Sequence, residues 1–308
     1  MMQLLYFTFN MKQHLFPIAP PLFSIAAMLS YQHSYHAGNH ADVLKHVILG
    51  DLVAGMQKKE TPLFLFDAFA SRGIYDLDSP EALKNREFDT GIGKLWPLRH
   101  YKNPQGVERW FKLIASENVD GNFTRFPGST AMLNSMMRDS DRLAACDLHP
   151  QEFEGLRASF DSSRRFSLHK RDAFEALKGL LPPKEKRGLI FLDPSYEIKE
   201  EYRDIAKAVI LAQRRFATGV YVIWYPLLPA ERHEELFNGL KRSGIRKIFR
   251  VELDCRDCFP EMQMSGSGLL IINPPWHAQQ AMKDSLNWIC EHLTDGNGGK
   301  HFGWLVPE

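Results

Sequence analysis

Residues 188 to 196 read GLIFLDPSY. Leu189, Ile190, Phe191 and Leu192 form a short apolar block behind a glycine, and Asp193-Pro194-Ser195-Tyr196 follows at once. An uninterrupted apolar run bounded by turn residues is the pattern of a strand buried on both faces, as in a parallel sheet. Similar runs recur on either side. Thr61 to Ala70 holds a first strand ending in Asp67. Leu143–Cys146 ends at Asp147, Phe166–His169 is followed by Asp172, and Gly219–Tyr225 forms a fifth strand. Helical spacing fills the gaps at Pro150–Phe160, Phe174–Leu181, Glu200–Arg214 and Ala230–Arg242. Asn39-His40-Ala41-Asp42 starts an earlier helix, with Asn39 as cap, running to about Met56. Strands alternating with helices predict an α/β, doubly wound, mostly parallel sheet. Two late strands, Ile245–Leu253 and Gly268–Ile272, have no helix between them and are expected to run antiparallel, making seven strands in all; a helix over about His277–His292 follows.

Asp67, Asp147, Asp172 and Asp193 stand at or just after the carboxyl ends of successive strands. Aspartate is a common turn former, so one acid there means little. Four of them line one rim of one sheet, the place where open α/β sheets receive ligands. An acid on the second strand can pair with ribose hydroxyls, and an acid after the third can take an adenine amine. The loop from Asp67 to Gly73 has an acid and a later glycine but no full G-x-G, and Ser71 and Arg72 add side chains where room is expected.

Asp193-Pro194-Ser195-Tyr196 suits a flat base with an exocyclic amine. The acid and the Pro194 carbonyl accept the two amine hydrogens, and the Tyr196 ring stacks on the base. That is the logic of the [D/N/S]-P-P-[Y/F/W] motif of amino-methyltransferases, with Ser195 at the second proline. The competing reading is an ordinary strand-to-turn junction. Asn273-Pro274-Pro275-Trp276 matches the motif better, yet it follows the last strand, away from the other acids. Its alternative is a sheet-closing turn with Trp276 packed beneath.

The chain has 308 residues, 44% hydrophobic and 24% charged, enough for one large core with a small insertion. Its 38 basic and 37 acidic residues leave a net charge of +1, so attraction to a polyanion has to come from a local patch. Arg246, Lys247 and Arg250, with Arg164, Arg165, Lys170 and Arg171, are candidates, against the plainer reading of solvated surface. Four cysteines suggest a reduced, cytoplasmic setting. Cys255 and Cys258 form a single C-x-x-C without a second ligand pair, so no metal is expected. The stretch 78 to 122, which has no strand of its own, reads as a helical insertion between 28–77 and 123–308. Residues 1 to 27 are apolar and broken by Pro17, Pro20 and Pro21: too interrupted for a membrane span, conceivable as a signal peptide, and best read as an extension upstream of Met28.

Longer strings carry a resemblance. YQHSYHAGNHADVLKH at 31 to 46, FPGST at 126 to 130, DLHP at 147 to 150, DPSYE, FATGVYVIWYP, GIRKI and SGSGLLIINPPW resemble the RlmJ family, bacterial 23S rRNA adenine-N6 methyltransferases once linked to use of external DNA as a nutrient. The resemblance runs from about residue 28 to the closing WLVPE. It implies a Rossmann-like class I methyltransferase fold that uses S-adenosyl-L-methionine, acts on 23S rRNA, binds no membrane and works as a monomer. It further implies cofactor contacts at Lys45, His46, Ser129, Asp147, Asp172 and Ala173, and Asp67 and Phe69 are expected to bind the cofactor with them. Asp193 is implied as the catalytic acid, and Tyr31 with His33 as the substrate side. The chain departs from the family at Phe69, where a His contact is common, at Ser71, where the loop's first Gly is usual, and at Ser195. Two rivals remain: a DNA adenine-N6 methyltransferase, which the small insertion and lack of a target-recognition domain count against, and a non-catalytic nucleic-acid binder, suggested by the Ser71 and Ser195 departures.

Overall fold

The computed structural model describes residues 31–256 and 264–308. The expected extension at 1 to 27, Met28 and Cys258 lie outside the described residues. The strands are β1 Phe64–Asp67, β2 Ile74–Asp76, β3 Arg125–Pro127, β4 Arg142–Asp147, β5 Phe166–Lys170, β6 Gly188–Leu192, β7 Val220–Leu227, β8 Ile248–Asp254, β9 Gly266–Ile272 and β10 Gly299–Val306. Eight of them form one sheet in the order β10-β8-β9-β7-β6-β1-β4-β5. The run β5-β4-β1-β6-β7 is parallel, and β9, β8 and β10 extend it antiparallel. The sequence-based expectation of seven strands misses β10. That strand lies at the sheet edge, with most of its side chains exposed or half-buried, so it carries no apolar run to betray it.

Chain order reverses beside β1. The path β1-β4-β5 goes one way and β6-β7 the other, which makes a topological switch point next to β1. The carboxyl ends of β1, β4, β5 and β6 therefore open onto a common crevice. The N-P-P-W segment is at the other rim. Because β9 is antiparallel, Ile272 pairs with Tyr221 at the start of β7, and Asn273 leaves the sheet at the amino ends of the parallel strands. Trp276 does not pack beneath the sheet; it is 78% exposed.

Helix α1, His40–Met56, begins as the sequence suggests, with the Asn39 side chain accepting from the backbone N–H groups of Ala41 and Asp42. It is buried on every side rather than amphipathic. It packs against α5 (Gln105–Ser116), α6 (Ser129–Met136), α11 (Gln279–Leu293) and β9. Lys45 and His46 thus have no solvated face; both side chains are interior. Three short helices intervene before α5: α2 Pro80–Asn85, α3 Glu87–Thr90 and α4 Ile92–Leu95. The antiparallel ribbon of β2 and β3 brackets these four helices, and Trp110, Val107 and Ile114 of α5 join the same apolar core as the sheet. The remaining helices are α7 Pro150–Ser159, α8 Ala173–Leu180, α9 Glu201–Arg215 and α10 His233–Arg242.

Candidate active site

An inner cleft runs along the rim. It is lined by Ala68–Ser71 after β1, Gly128 and Ser129 before α6, Asp147–His149 after β4, Asp172 and Ala173 at the start of α8, and Asp193–Ser195 after β6; His46 of α1 also faces it. A second, outer cavity adjoins it. Tyr31, His33 and Ser195 border both, while Lys45, Tyr196, Trp224, Lys84 and Glu87 border the outer one. Asp193 and Pro194 line the inner cleft alone, next to Ser195, which borders both.

Within the inner cleft each acid has its own role. Asp147 accepts from the backbone N–H of Ser71 (2.8 Å) and of His149 (2.7 Å), joining the β1 loop to the β4 loop. Burial pushes its carboxyl up to about 6, against those hydrogen bonds. Asp172 caps α8 by accepting from Glu175 N–H (3.0 Å). Asp67 lies under the floor and does not line the cleft. Its Oδ2 accepts the hydroxyls of Ser129 and Thr130, both at 2.7 Å, which seats the first turn of α6. Burial raises Asp67 to about 6, and its Oδ1 has no hydrogen-bond partner among the described residues.

The two loop departures have physical consequences. Ser71 takes φ +51°, the left-handed region that glycine favours at no steric cost. Its hydroxyl donates to Glu152 (2.7 Å), an interior acid of α7, which also holds the Arg72 guanidinium. Arg72 is thereby drawn off the cleft, and the crevice stays open. Phe69 turns its ring edgewise to Phe174 (6.5 Å between centroids), replacing a polar contact with an apolar wall.

A chain of polar contacts backs Asp193. The Lys45 ammonium lies 2.7 Å from Asp193 Oδ2 and 2.9 Å from Asp42 Oδ1, and 4.7 Å from the centre of the Trp224 ring. Asp42, fully buried, also takes His33 Nε2 (2.9 Å) and the Gly38 N–H (2.8 Å). His33 Nδ1 meets the Tyr31 hydroxyl (2.8 Å). Burial alone would raise the Asp42 carboxyl, yet His33 and Lys45 hold it well below the usual carboxylate range. Burial would lower the Lys45 ammonium, and Asp193 and Asp42 instead keep it protonated above its ordinary value. Burial raises Asp193, with Lys45 the foremost opposing influence. Lys45 therefore touches Asp193 and the outer cavity rather than the inner cleft.

Tyr196 sits in the left-handed region at φ +54°. Its hydroxyl donates to the Trp224 carbonyl (2.8 Å) and its ring, buried, stacks on Tyr202 (4.2 Å) beside the outer cavity. A non-glycine residue held there by its surroundings is the sort of stored strain found at binding sites. Tyr31 stacks on His36 at 5.7 Å beside the same cavity.

Residue-by-residue reading of the sequence missed Asp42, Glu152, Glu201 and the helix α6. Asp42 was visible only as a capping-box acid, although its carboxylate serves His33 and Lys45. Glu201, in the first turn of α9, lines the inner cleft behind the Asp193 loop, where burial pushes it up to about 7. No group of three metal-ligating side chains occurs among the described residues, and no described helix is long and apolar enough to cross a membrane.

Residues 60–306 match the family model described as Ribosomal RNA large subunit methyltransferase D, RlmJ. The chain belongs to this family. It is 38% identical to the ribosomal RNA large subunit methyltransferase J of Haemophilus influenzae over 283 residues, covering 91% of this chain and all of that protein. It is 36% identical to the protein of the same description from Escherichia coli K12 over 282 residues, again covering 91% of this chain and all of the relative. A crystal structure of a Legionella pneumophila protein shares the fold with a TM-score of 0.79 at 34% identity, covering 87% of this chain and 97% of that one.

Proposed function

We propose that the chain transfers a methyl group from S-adenosyl-L-methionine to N6 of an adenine in 23S rRNA, working as a cytoplasmic monomer on naked rRNA or an early assembly intermediate. The observation that carries the reading is the placement of Asp193 and Pro194 on the inner cleft beside Ser195, which borders both cavities, with Lys45 of the outer cavity in contact with the acid. The inner cleft suits an adenosyl group. Asp147 offers a carboxylate to ribose hydroxyls, Asp172 and Ala173 wall the adenine end, and His46 lines the same cleft. When bound there, S-adenosyl-L-methionine supplies an electrophilic methyl on a sulfonium. His46 is lowered to about 4 by burial, so it serves as a neutral imidazole.

The outer cavity receives the flipped target base. An adenine N6 lone pair is delocalised into its ring and attacks poorly. Asp193 and the Pro194 carbonyl accept its two hydrogens and draw the nitrogen toward tetrahedral shape, aiming the lone pair at the inner cleft. The proton leaves after the methyl has arrived, to Asp193 or to water. Lys45 keeps Asp193 ionised and fixes its Oδ2, leaving Oδ1 for the amine. Asp42 and His33 hold Lys45 in turn.

The test is methyl transfer from labelled cofactor to 23S rRNA fragments and to duplex DNA, using rRNA from a strain lacking the enzyme. Label on an rRNA adenine N6 supports the reading. Label only on DNA, or no cofactor binding at millimolar concentration, defeats it.

A further inference from the structure

N-P-P-W is a motif of this sequence that methyl transfer leaves unused. It is built rigidly. The Asn273 side chain donates to the carbonyls of Ala217 (2.8 Å) and Gly219 (2.9 Å), and its backbone N–H donates to that of Lys247 (3.0 Å). Pro274 and Pro275 follow, and Trp276 opens a single 3₁₀ turn. Two residues on, Ala278 is fully buried against α1, so close that a Cβ on Gly55 would lie 2.7 Å from it. The turn is clamped at both ends, and the indole is still 78% exposed. A tryptophan left in water forgoes the large stabilisation its burial would give.

Its surroundings are cationic. Lys58 and Lys59 follow the end of α1, Arg214 and Arg215 end α9 beside Ala217, and Arg246 and Lys247 precede β8 beside Asn273; all six are exposed. Glu60 and Glu308 are the acids on these same segments, and Lys247 pairs with Glu308 at 2.6 Å. Cations at the ends of α1 and α9 also suit the helix dipoles, and Arg246 donates to the Glu308 carbonyl (2.7 Å) beside the Lys247 pair, but none of this explains the exposed indole.

We propose that this second rim binds RNA: Trp276 stacks on an unpaired base of the substrate rRNA remote from the target adenine, and the surrounding cations contact its phosphates. An aromatic ring on a stiff support among cations is the sequence-tolerant way of holding single-stranded nucleic acid. The inference rests on the rRNA reading above and gives that reading the local patch that the overall charge does not.

Fluorescently labelled octauridylate, which has bases but no adenine amine, is titrated into the full chain at low salt. Trp276→Ala weakens binding about tenfold or more while Trp276→Phe keeps most of it. Lys58→Gln with Lys59→Gln weakens binding and lowers its salt dependence. Adenosine monophosphate, directed at the outer cavity, does not displace the probe. Methylation of a short adenine-bearing hairpin is unchanged in Trp276→Ala, and KM for long 23S rRNA rises. Equal binding by wild type and Trp276→Ala overturns the proposal, as does displacement by adenosine monophosphate or stronger binding of an oligoglutamate peptide. Failure of the wild type to methylate any rRNA would sink the catalytic reading alone, because octauridylate binding is measured without it.

Discussion

Replacing Lys45 with Met keeps the length of the side chain and removes its charge. The Lys45 ammonium sits 2.7 Å from Asp193 and 2.9 Å from Asp42, on a side chain only 3% exposed. A hydrogen bond to a charged group contributes about 1.5–3 kcal/mol. If that interaction orients and ionises Asp193 in the transition state, its loss lowers kcat about 10- to 150-fold at neutral pH. The pH dependence follows from the same contacts. Burial raises the Asp193 carboxyl and Lys45 opposes that rise. Without Lys45 the carboxyl climbs further, so the acid limb of the rate profile moves to higher pH and the variant recovers activity as pH increases. Cofactor affinity stays within about threefold, since Lys45 lies outside the inner cleft, where loss of a direct hydrogen bond would cost more. The assay is single-turnover methyl transfer from pH 5 to 9, paired with calorimetry of S-adenosylmethionine, which also reports that the variant is folded. A loss of cofactor affinity equal to the loss of rate, with an unmoved pH profile, would refute the reasoning and return Lys45 to the cofactor contacts implied by the family resemblance.

Asp193→Asn removes the charged acceptor and slows transfer by one to two orders of magnitude, from the about 1.5–3 kcal/mol of such a bond, with cofactor affinity kept. Ser195→Pro stiffens the base receptor and speeds transfer about two- to fivefold, corresponding to about 0.4–1 kcal/mol; an unchanged rate in stopped assays would remove rigidity from the argument. Because Asp147 is raised to about 6, its ionised form is lost as pH falls through 6, so calorimetry should show weaker cofactor binding at pH 5 than at pH 7, a difference absent in Asp147→Asn. Asp67 is raised from 3.8 to about 6, so the native state holds that proton more tightly than the unfolded chain between these values. This component lowers stability as pH rises through that window, and urea midpoints of wild type and Asp67→Asn should diverge there and run parallel above it.

The parallel strands were legible because strands buried on both faces need continuous apolar runs, as β6 and β7 have. Three of the rim acids were legible for a related reason: Asp67, Asp147 and Asp193 each end or directly follow such a run, whereas Asp172 follows the half-buried β5. β10 escaped notice because an edge strand can remain polar, and α6 because nothing in its own sequence reveals that Ser129 and Thr130 are seated by Asp67. Side-chain direction was harder to read than position. Asp67 belongs to the rim by its place in the chain but points beneath the cleft floor. Lys45 and His46 are neighbours on one helix, yet one faces the outer cavity and the other the inner cleft.

The amino-acid sequence alone determined the α/β alternation, the strand ends that carry acids and the presence of two amine-receptor-like motifs. All of these are local properties, set by apolar periodicity and turn chemistry within a few residues. Tertiary structure alone decided which motif faces the crevice, because that depends on strand direction: parallel β6 delivers Asp193 to the acid rim, and antiparallel β9 carries Asn273 to the opposite one. It also brought Asp42, Lys45 and Asp193 together across 148 positions of chain between the last two, a contact that pays for burying their charges only once the fold has closed.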